Sequence, residues 1–428
     1  MSVINANRRR LIQGVGAAAA MSLSGKPLWA AETKSLGRVV VVGGGFGGAT
    51  AAKYLRKWSG NRIEVVLIER AKEFISCPMS NEVLGGNRDF NTLRHSYDGL
   101  KSHWGVNVVH ASVTGVDAAK KKVVTDTAGE ISYDRLVIAP GFDFNFSAVE
   151  GYDAKAQETI LHAWKAGPQT LALRKQLEDM PDGGVFAIAI PKAPYRCPPG
   201  PYERACQVAW YLKNHKPKSK VLVLDANDKI VSKEKLFLNV WANSYPGMVE
   251  YRPQWNAVAV NAATRTLTGE LGDQVNADVL NIIAPQRAGE VARLAGVVNV
   301  NDRWADVNWI TLESTAVPGI HVIGDATQSA PMMPKSGHMA NQHGKAVAAA
   351  LVEILSGREP KPITMANTCY SMVDDQRAIH VDSVHRYNPE KKVPLVVEGS
   401  GGLSKEPSVL EGEYTHAWAN AIWQDVLG

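Results

Sequence analysis

Four consecutive valines, Val39 to Val42, run straight into Gly43-Gly44-Gly45-Phe46-Gly47-Gly48 and then into a small-residue segment starting at Ala49. A β-branched run, a glycine turn and a helix, in that order, point to a parallel α/β architecture, because the helix must cross back over the sheet before the next parallel strand begins. Gly43, Gly45 and Gly48 have the G-x-G-x-x-G spacing. Such a loop turns tightly, lets backbone approach a pyrophosphate and aims a helix N-terminus at its charge. A second strand is expected over Ile63 to Glu69, and Glu69 falls about 20 positions beyond the glycines, where an acid can hold a ribose hydroxyl. These four residues are the expected dinucleotide contacts.

At 428 residues the chain exceeds what one core usually serves, so two or three domains are expected. Its formal charge of +5 is concentrated at the start. Arg8, Arg9, Arg10 and Lys26 leave 43 of the 47 basic residues to face 42 acidic ones. A near-neutral body with no charged tract gives nucleic acid no footprint. Residues 1–31 read as an export leader of the twin-arginine type: arginines, a mildly apolar stretch from Leu11 to Leu23, and a small-residue end at Ala30 and Ala31. A periplasmic location is the expectation, since that route carries proteins already folded around a cofactor. No later stretch reaches the roughly 18 apolar residues that span a bilayer. A helix over Thr415 to Leu427 carries Trp418, Ile422 and Val426 on one stripe and is expected to cap a domain.

Two later segments, Tyr133 to Gly141 and Pro318 to Ala326, resemble the distal signatures of glutathione-reductase-like FAD proteins. That resemblance assigns Asp325 to the ribityl chain and makes the FAD domain discontinuous. Lys335, Ser336 and Gly337 open a helix whose positive end is expected to face the flavin pyrimidine ring. The expected layout is an FAD domain over 32–149 and 286–358, a second Rossmann-like domain over 150–285, and a smaller α+β domain over 359–428. In the second domain the strand Val185 to Ile190 is followed by Pro191-Lys192-Ala193-Pro194-Tyr195-Arg196-Cys197-Pro198-Pro199-Gly200 instead of a glycine loop. Prolines lack the N–H groups that cradle phosphates, so no nicotinamide nucleotide is expected there.

Three runs carry a closer resemblance: Ile75-Ser76-Cys77-Pro78-Met79-Ser80, Arg196-Cys197-Pro198-Pro199-Gly200-Pro201-Tyr202-Glu203, and Asn367-Thr368-Cys369-Tyr370-Ser371. They resemble the flavoprotein subunit of flavocytochrome c sulfide dehydrogenase, a relative of sulfide:quinone oxidoreductase. The resemblance implies FAD joined covalently to Cys77, a redox disulfide between Cys197 and Cys369, sulfide as substrate, and a c-type cytochrome subunit as partner and acceptor. Cys77 lies eight residues beyond Glu69, a reach of up to ~27 Å at about 3.3 Å per residue, enough to pass from the ribose end of FAD to its ring. A buried thiol at Cys77 and a structural staple between Cys197 and Cys369 are the plainer alternatives.

On this reading hydrosulfide opens the disulfide by thiol exchange, Cys369 passes electrons to the flavin, and sulfur leaves as elemental sulfur or polysulfide. Glu203, six residues after Cys197, is a candidate general acid or base. Cys206 is expected to be inert. Lys192 and Arg196 are cations near Cys197 in sequence but are left out of the catalytic set. No x-x-C-H follows any cysteine, so haem belongs to another chain, and no metal site is expected. The region from about 360, with Trp418 and Trp423, is expected to meet the cytochrome and close the site. A sulfide:quinone oxidoreductase and an accessory flavoprotein of a thiosulfate-oxidising system remain as alternatives.

Overall fold

A computed structural model describes residues 34–428; the expected leader at 1–31 lies outside the described residues. Leu36–Gly428 forms one compact unit. Its first sheet is five-stranded and parallel, with strands in the order Ile320–Val322, Arg135–Ile138, Gly37–Val42, Ile63–Ile68 and Asn107–Val109. Val39 to Val42 are almost wholly buried, as both faces of such a sheet must be. The chain supplies these strands from two distant stretches, so the sheet closes only after residue 320 has returned to it.

Helix Phe46–Trp58 leaves the glycine loop and packs on helix Gly337–Leu355. Their approach is set by glycine: a Cβ on Gly344 would stand 2.5 Å from the Gly47 carbonyl oxygen. Thr50 then accepts a hydrogen bond from Asn341 at 2.9 Å.

A second parallel sheet runs Val249–Arg252, Lys220–Asp225, Val185–Ile190, Val279–Ile282. Strand Met365–Met372 pairs antiparallel with Ala378–Asn388, setting Cys369 opposite Val381 and Ser371 opposite Ile379. The architecture is thus mixed α/β with Rossmann-like layers. The terminal helix runs Val409–Leu427, starting a turn and a half before the expected Thr415, because Ser408 caps it by accepting from the Glu411 N–H. Ile422, Trp423, Val426 and Leu427 are buried. The helix is fixed to its neighbours: Trp423 donates to Ser76 at 3.0 Å, and Asp425 takes bonds from Tyr54, Asn341 and Lys345. Among the described residues no helix is long and apolar enough to cross a membrane.

Candidate active site

The glycine loop is built for close approach. Gly43 has φ +98°, and a Cβ on Gly48 would stand 1.8 Å from the Gly43 carbonyl oxygen, whereas a Cβ on Gly45 would meet nothing within 4 Å. The loop is therefore tight beneath and open above, where the helix N-terminus begins. Glu69 lies beside it, its carboxylate accepting from the Gly44 N–H at 2.6 Å and the Ala71 N–H at 2.8 Å. On the far side of the sheet Asp325 has an Oδ1 atom shielded from solvent with no hydrogen-bond partner, and burial raises its pKa. Such an orphaned acceptor is costly unless a ligand hydroxyl supplies its proton, so the residue fits a ribityl chain.

Lys335, Ser336 and Gly337 do stand at a helix start, but the side chains of Lys335 and Ser336 are turned inward. The Lys335 ammonium donates to the carbonyls of Asp325 and Thr327 at 2.9 and 2.6 Å and lies 3.7 Å from the Trp304 ring centroid. Burial pulls its pKa down to about 7. Ser336 caps the helix by accepting from the Met339 N–H and donates to Asn367 at 2.6 Å. What this segment presents to Cys197 is its backbone: the Lys335 carbonyl accepts from the Cys197 N–H at 2.7 Å.

All three motif cysteines converge here, each only partly buried. Cys77 follows the short strand Phe74–Ile75, and its sulfur accepts from the Ala166 N–H at 3.4 Å. Cys197 adopts a left-handed conformation, φ +58°, just before helix Gly200–His215. Its sulfur lies so close that a Cβ on Gly200 would stand 2.8 Å away. Cys369 sits on its strand with the Asn367 amide donating to its sulfur at 3.4 Å.

The expected Cys197–Cys369 bond is not formed. All four cysteines are free thiols and no pair lies near disulfide distance. Each sulfur is held on its own side, one against Gly200 and the other by Asn367. They nonetheless feel each other's charge: burial first, and then the charge of Cys369, push the Cys197 pKa up to about 12. Burial likewise raises that of Cys369, against the opposing pull of Asn367 and of the Lys233 charge.

Glu203 lies in the first turn of its helix and reaches the same pocket. Its carboxylate accepts from the Asn81 amide and the Met372 N–H, both at 3.1 Å. Burial lifts its pKa above the usual carboxylate range, against the pull of Lys233 and of those two donors. A carboxyl poised nearer neutrality can both take and return a proton.

Four groups here had no role assigned from the sequence. Arg196 faces Cys77, Asp325 and Cys197 at once, stacks between Phe142 and Trp164, and donates to the Trp164 carbonyl. It adjoins Cys197 in sequence, and that adjacency was the available signal. Lys192, weighed beside it, is exposed and outside the site. Trp164 packs against Gly200 and Cys197. Arg204, fully buried, clamps Asn81, the carbonyls of His162 and Ala163, and Asn281. Lys233 is buried and has no sequence signal at all. Cys206 is buried with the Trp241 N–H on its sulfur. Trp423 is 7 % exposed, and Trp418 packs by His338 and Tyr370. Trp423, almost wholly buried, offers no surface to a partner. Among the described residues no cluster of His, Cys, Asp or Glu could hold a metal.

Three family models match the chain. Residues 37–178 match pyridine nucleotide-disulphide oxidoreductase, 170–284 the central part of the sulfide dehydrogenase [flavocytochrome c] flavoprotein chain, and 361–427 the flavin-binding part of flavocytochrome c sulphide dehydrogenase. A sulfide dehydrogenase flavoprotein chain from Chlorobaculum thiosulfatiphilum is 61% identical over 46 residues, 11% of this chain and 94% of that sequence. The mitochondrial sulfide:quinone oxidoreductase of Mus musculus is 23% identical over 335 residues, 72% of this chain and 69% of that protein. The crystal structure of sulfide:quinone oxidoreductase from Aquifex aeolicus superposes with a TM-score of 0.74 at 20% identity, covering 91% of both chains, a likeness of fold.

Proposed function

Since the chain belongs to the family of the flavocytochrome c sulfide dehydrogenase flavoprotein chain, we propose that it oxidises sulfide through Cys197 and Cys369 and passes the electrons to a c-type cytochrome. It is an FAD-binding flavoprotein of the sulfide dehydrogenase and sulfide:quinone oxidoreductase type. Gly43, Gly45, Gly48, Glu69 and Asp325 would hold the FAD, with Cys77 as its covalent tether, and bound FAD supplies the two-electron acceptor. A periplasmic site of action follows from the leader-like first 31 residues.

The observation that carries this reading is that Cys197, before helix Gly200–His215, and Cys369, on strand Met365–Met372, face the same carboxyl, Glu203, and the same buried ammonium, Lys233, though they stand beyond bonding distance. In the oxidised protein the two sulfurs form a disulfide. Hydrosulfide attacks one sulfur; the old S–S bond breaks as a new one forms, leaving a persulfide on one cysteine and a thiolate on the other. Glu203 accepts the proton shed by the incoming sulfide and returns it to a thiolate later in the cycle. Arg196 and Lys233 oppose the negative charge that builds up. A second sulfide releases the sulfane sulfur as polysulfide. Trp164 and Trp418 keep the pocket narrow.

Stopped-flow mixing of the purified holoprotein with sulfide tests the reading, alone and with cytochrome c or a short-chain quinone. Rapid bleaching of the flavin followed by cytochrome reduction is expected. Reoxidation by quinone alone would make it a quinone reductase, the reading favoured by the mouse relative. A flavin that stays oxidised would leave an accessory role.

A further inference from the structure

Lys233 sits in the middle domain at a left-handed position, φ +58°, immediately before helix Glu234–Ser244. It is 5 % exposed. Burying an ammonium is expensive unless its donors are satisfied. Here all three are directed into the carboxy-terminal sheet: to the carbonyl of Cys369 at 2.9 Å, the hydroxyl of Ser371 at 2.8 Å and the carbonyl of Ile379 at 3.4 Å. These acceptors lie on two paired strands, since Ser371 faces Ile379 across the ladder. No carboxylate touches the ammonium, so its charge is left to act on its surroundings. Burial pulls its pKa down to about 8, opposed by the charges of Cys369, Glu203 and Cys197, with Glu411 of the terminal helix behind them. The Arg196 guanidinium is the other cation facing Cys197.

We propose that Lys233 is a positioning residue for the two sulfurs: it ties the strand carrying Cys369 to the middle domain and holds there a positive charge that favours the Cys369 thiolate. A neutral side chain with one donor would keep part of the tie and lose the charge. An arginine would keep the charge. The anchoring explains why a lysine is spent in the interior, and the charge explains why a leucine with backbone repacking would not serve. The inference rests on the sulfur chemistry proposed above only for its purpose; the charge effect on the thiol is measurable without any turnover.

The test is the pH profile of iodoacetamide alkylation at Cys369, read by peptide mass spectrometry on the reduced holoprotein, for wild type, Lys233→Gln and Lys233→Arg. Below about pH 8, where the ammonium is protonated, loss of the charge should lower Cys369 alkylation roughly tenfold at a fixed pH. The arginine variant should restore the wild-type profile. A glutamine profile that superimposes on wild type, or an arginine profile displaced as far as the glutamine one, overturns the proposal. Should Lys233→Gln not fold, the arginine variant carries the test: a midpoint at or below that of wild type supports it, and a shift to higher pH overturns it. A protein that does not oxidise sulfide would still report on Lys233, so the two failures are distinguishable.

Discussion

The two parallel sheets end in the same kind of crevice and treat it oppositely. In the first, strand Gly37–Val42 leads to glycines with open space above Gly45, and the acid after the second strand, Glu69, caps that loop. In the second, strand Val185–Ile190 leads to a proline-bound loop, and the corresponding acid, Asp225, is buried and saturated. Tyr202 donates to it at 2.7 Å, Tyr251 at 3.0 Å, and Asn227 through both backbone and side chain. Tyr195 and Tyr202 are buried beside it. A doubly wound sheet therefore supplies the crevice, and the residues at its strand ends decide whether it holds a cofactor or a sulfur atom.

The sharpest way to break this contrast is to give each loop one methyl group. Gly48→Ala would force a Cβ to 1.8 Å from backbone, where nothing can yield. The expected result is no soluble flavoprotein, checked by flavin absorbance of the purified fraction. Gly200→Ala meets the Cys197 sulfur at 2.8 Å and the Trp164 ring at 2.7 Å. It should fold and retain flavin while losing most sulfide-dependent bleaching, because the atoms displaced are the Cys197 sulfur and the Trp164 ring beside it and no backbone.

Cys77→Ser separates tether from crevice. Denaturant should then release all the flavin, where wild type retains it in the protein fraction of a gel filtration run.

Glu203→Gln probes the sulfur crevice alone and should lower kcat by about 100-fold, in the range expected for a lost acid–base group. It also has a signature in stability. The folded pKa of Glu203 is raised above its ordinary 4.5. The native state then binds the proton more tightly than the unfolded one, and this contribution is full below pH 4.5 and is lost as pH rises through the folded value. Urea midpoints of wild type should fall relative to those of the glutamine variant across that window.

The smallest effect is expected at the second crevice. Asp225→Asn keeps the shape but turns a strong acceptor of tyrosine hydroxyls into a weak one, costing about 1–3 kcal/mol. Chemical denaturation should show that loss with flavin content unchanged, and NADH should reduce neither protein.

The strand–glycine–helix unit and the proline-bound second loop were legible because they are local: the valines, the glycine spacing and the prolines each constrain their own neighbours. Strand Val185–Ile190 falls where its apolar run predicts it. Lys233 was not legible, for its burial depends on carbonyls of Cys369 and Ile379, more than a hundred residues away, and no periodicity marks it. Arg196 was visible beside Cys197 but set aside, since sequence neighbours need not point the same way; the stacking of its guanidinium between Phe142 and Trp164 settles where it points. At Lys335 the position was legible and the direction was not. Its ammonium turns to the Asp325 and Thr327 carbonyls because the Trp304 face covers it from the other side.

The most direct measurement is a non-reducing peptide map of the air-oxidised holoprotein before and after one equivalent of sulfide under anaerobic conditions. The account predicts a cross-linked peptide pair containing Cys197 and Cys369 that disappears on adding sulfide, replaced by one peptide heavier by a sulfur atom. Free thiols at both positions in the oxidised protein, with sulfide still consumed, would contradict it.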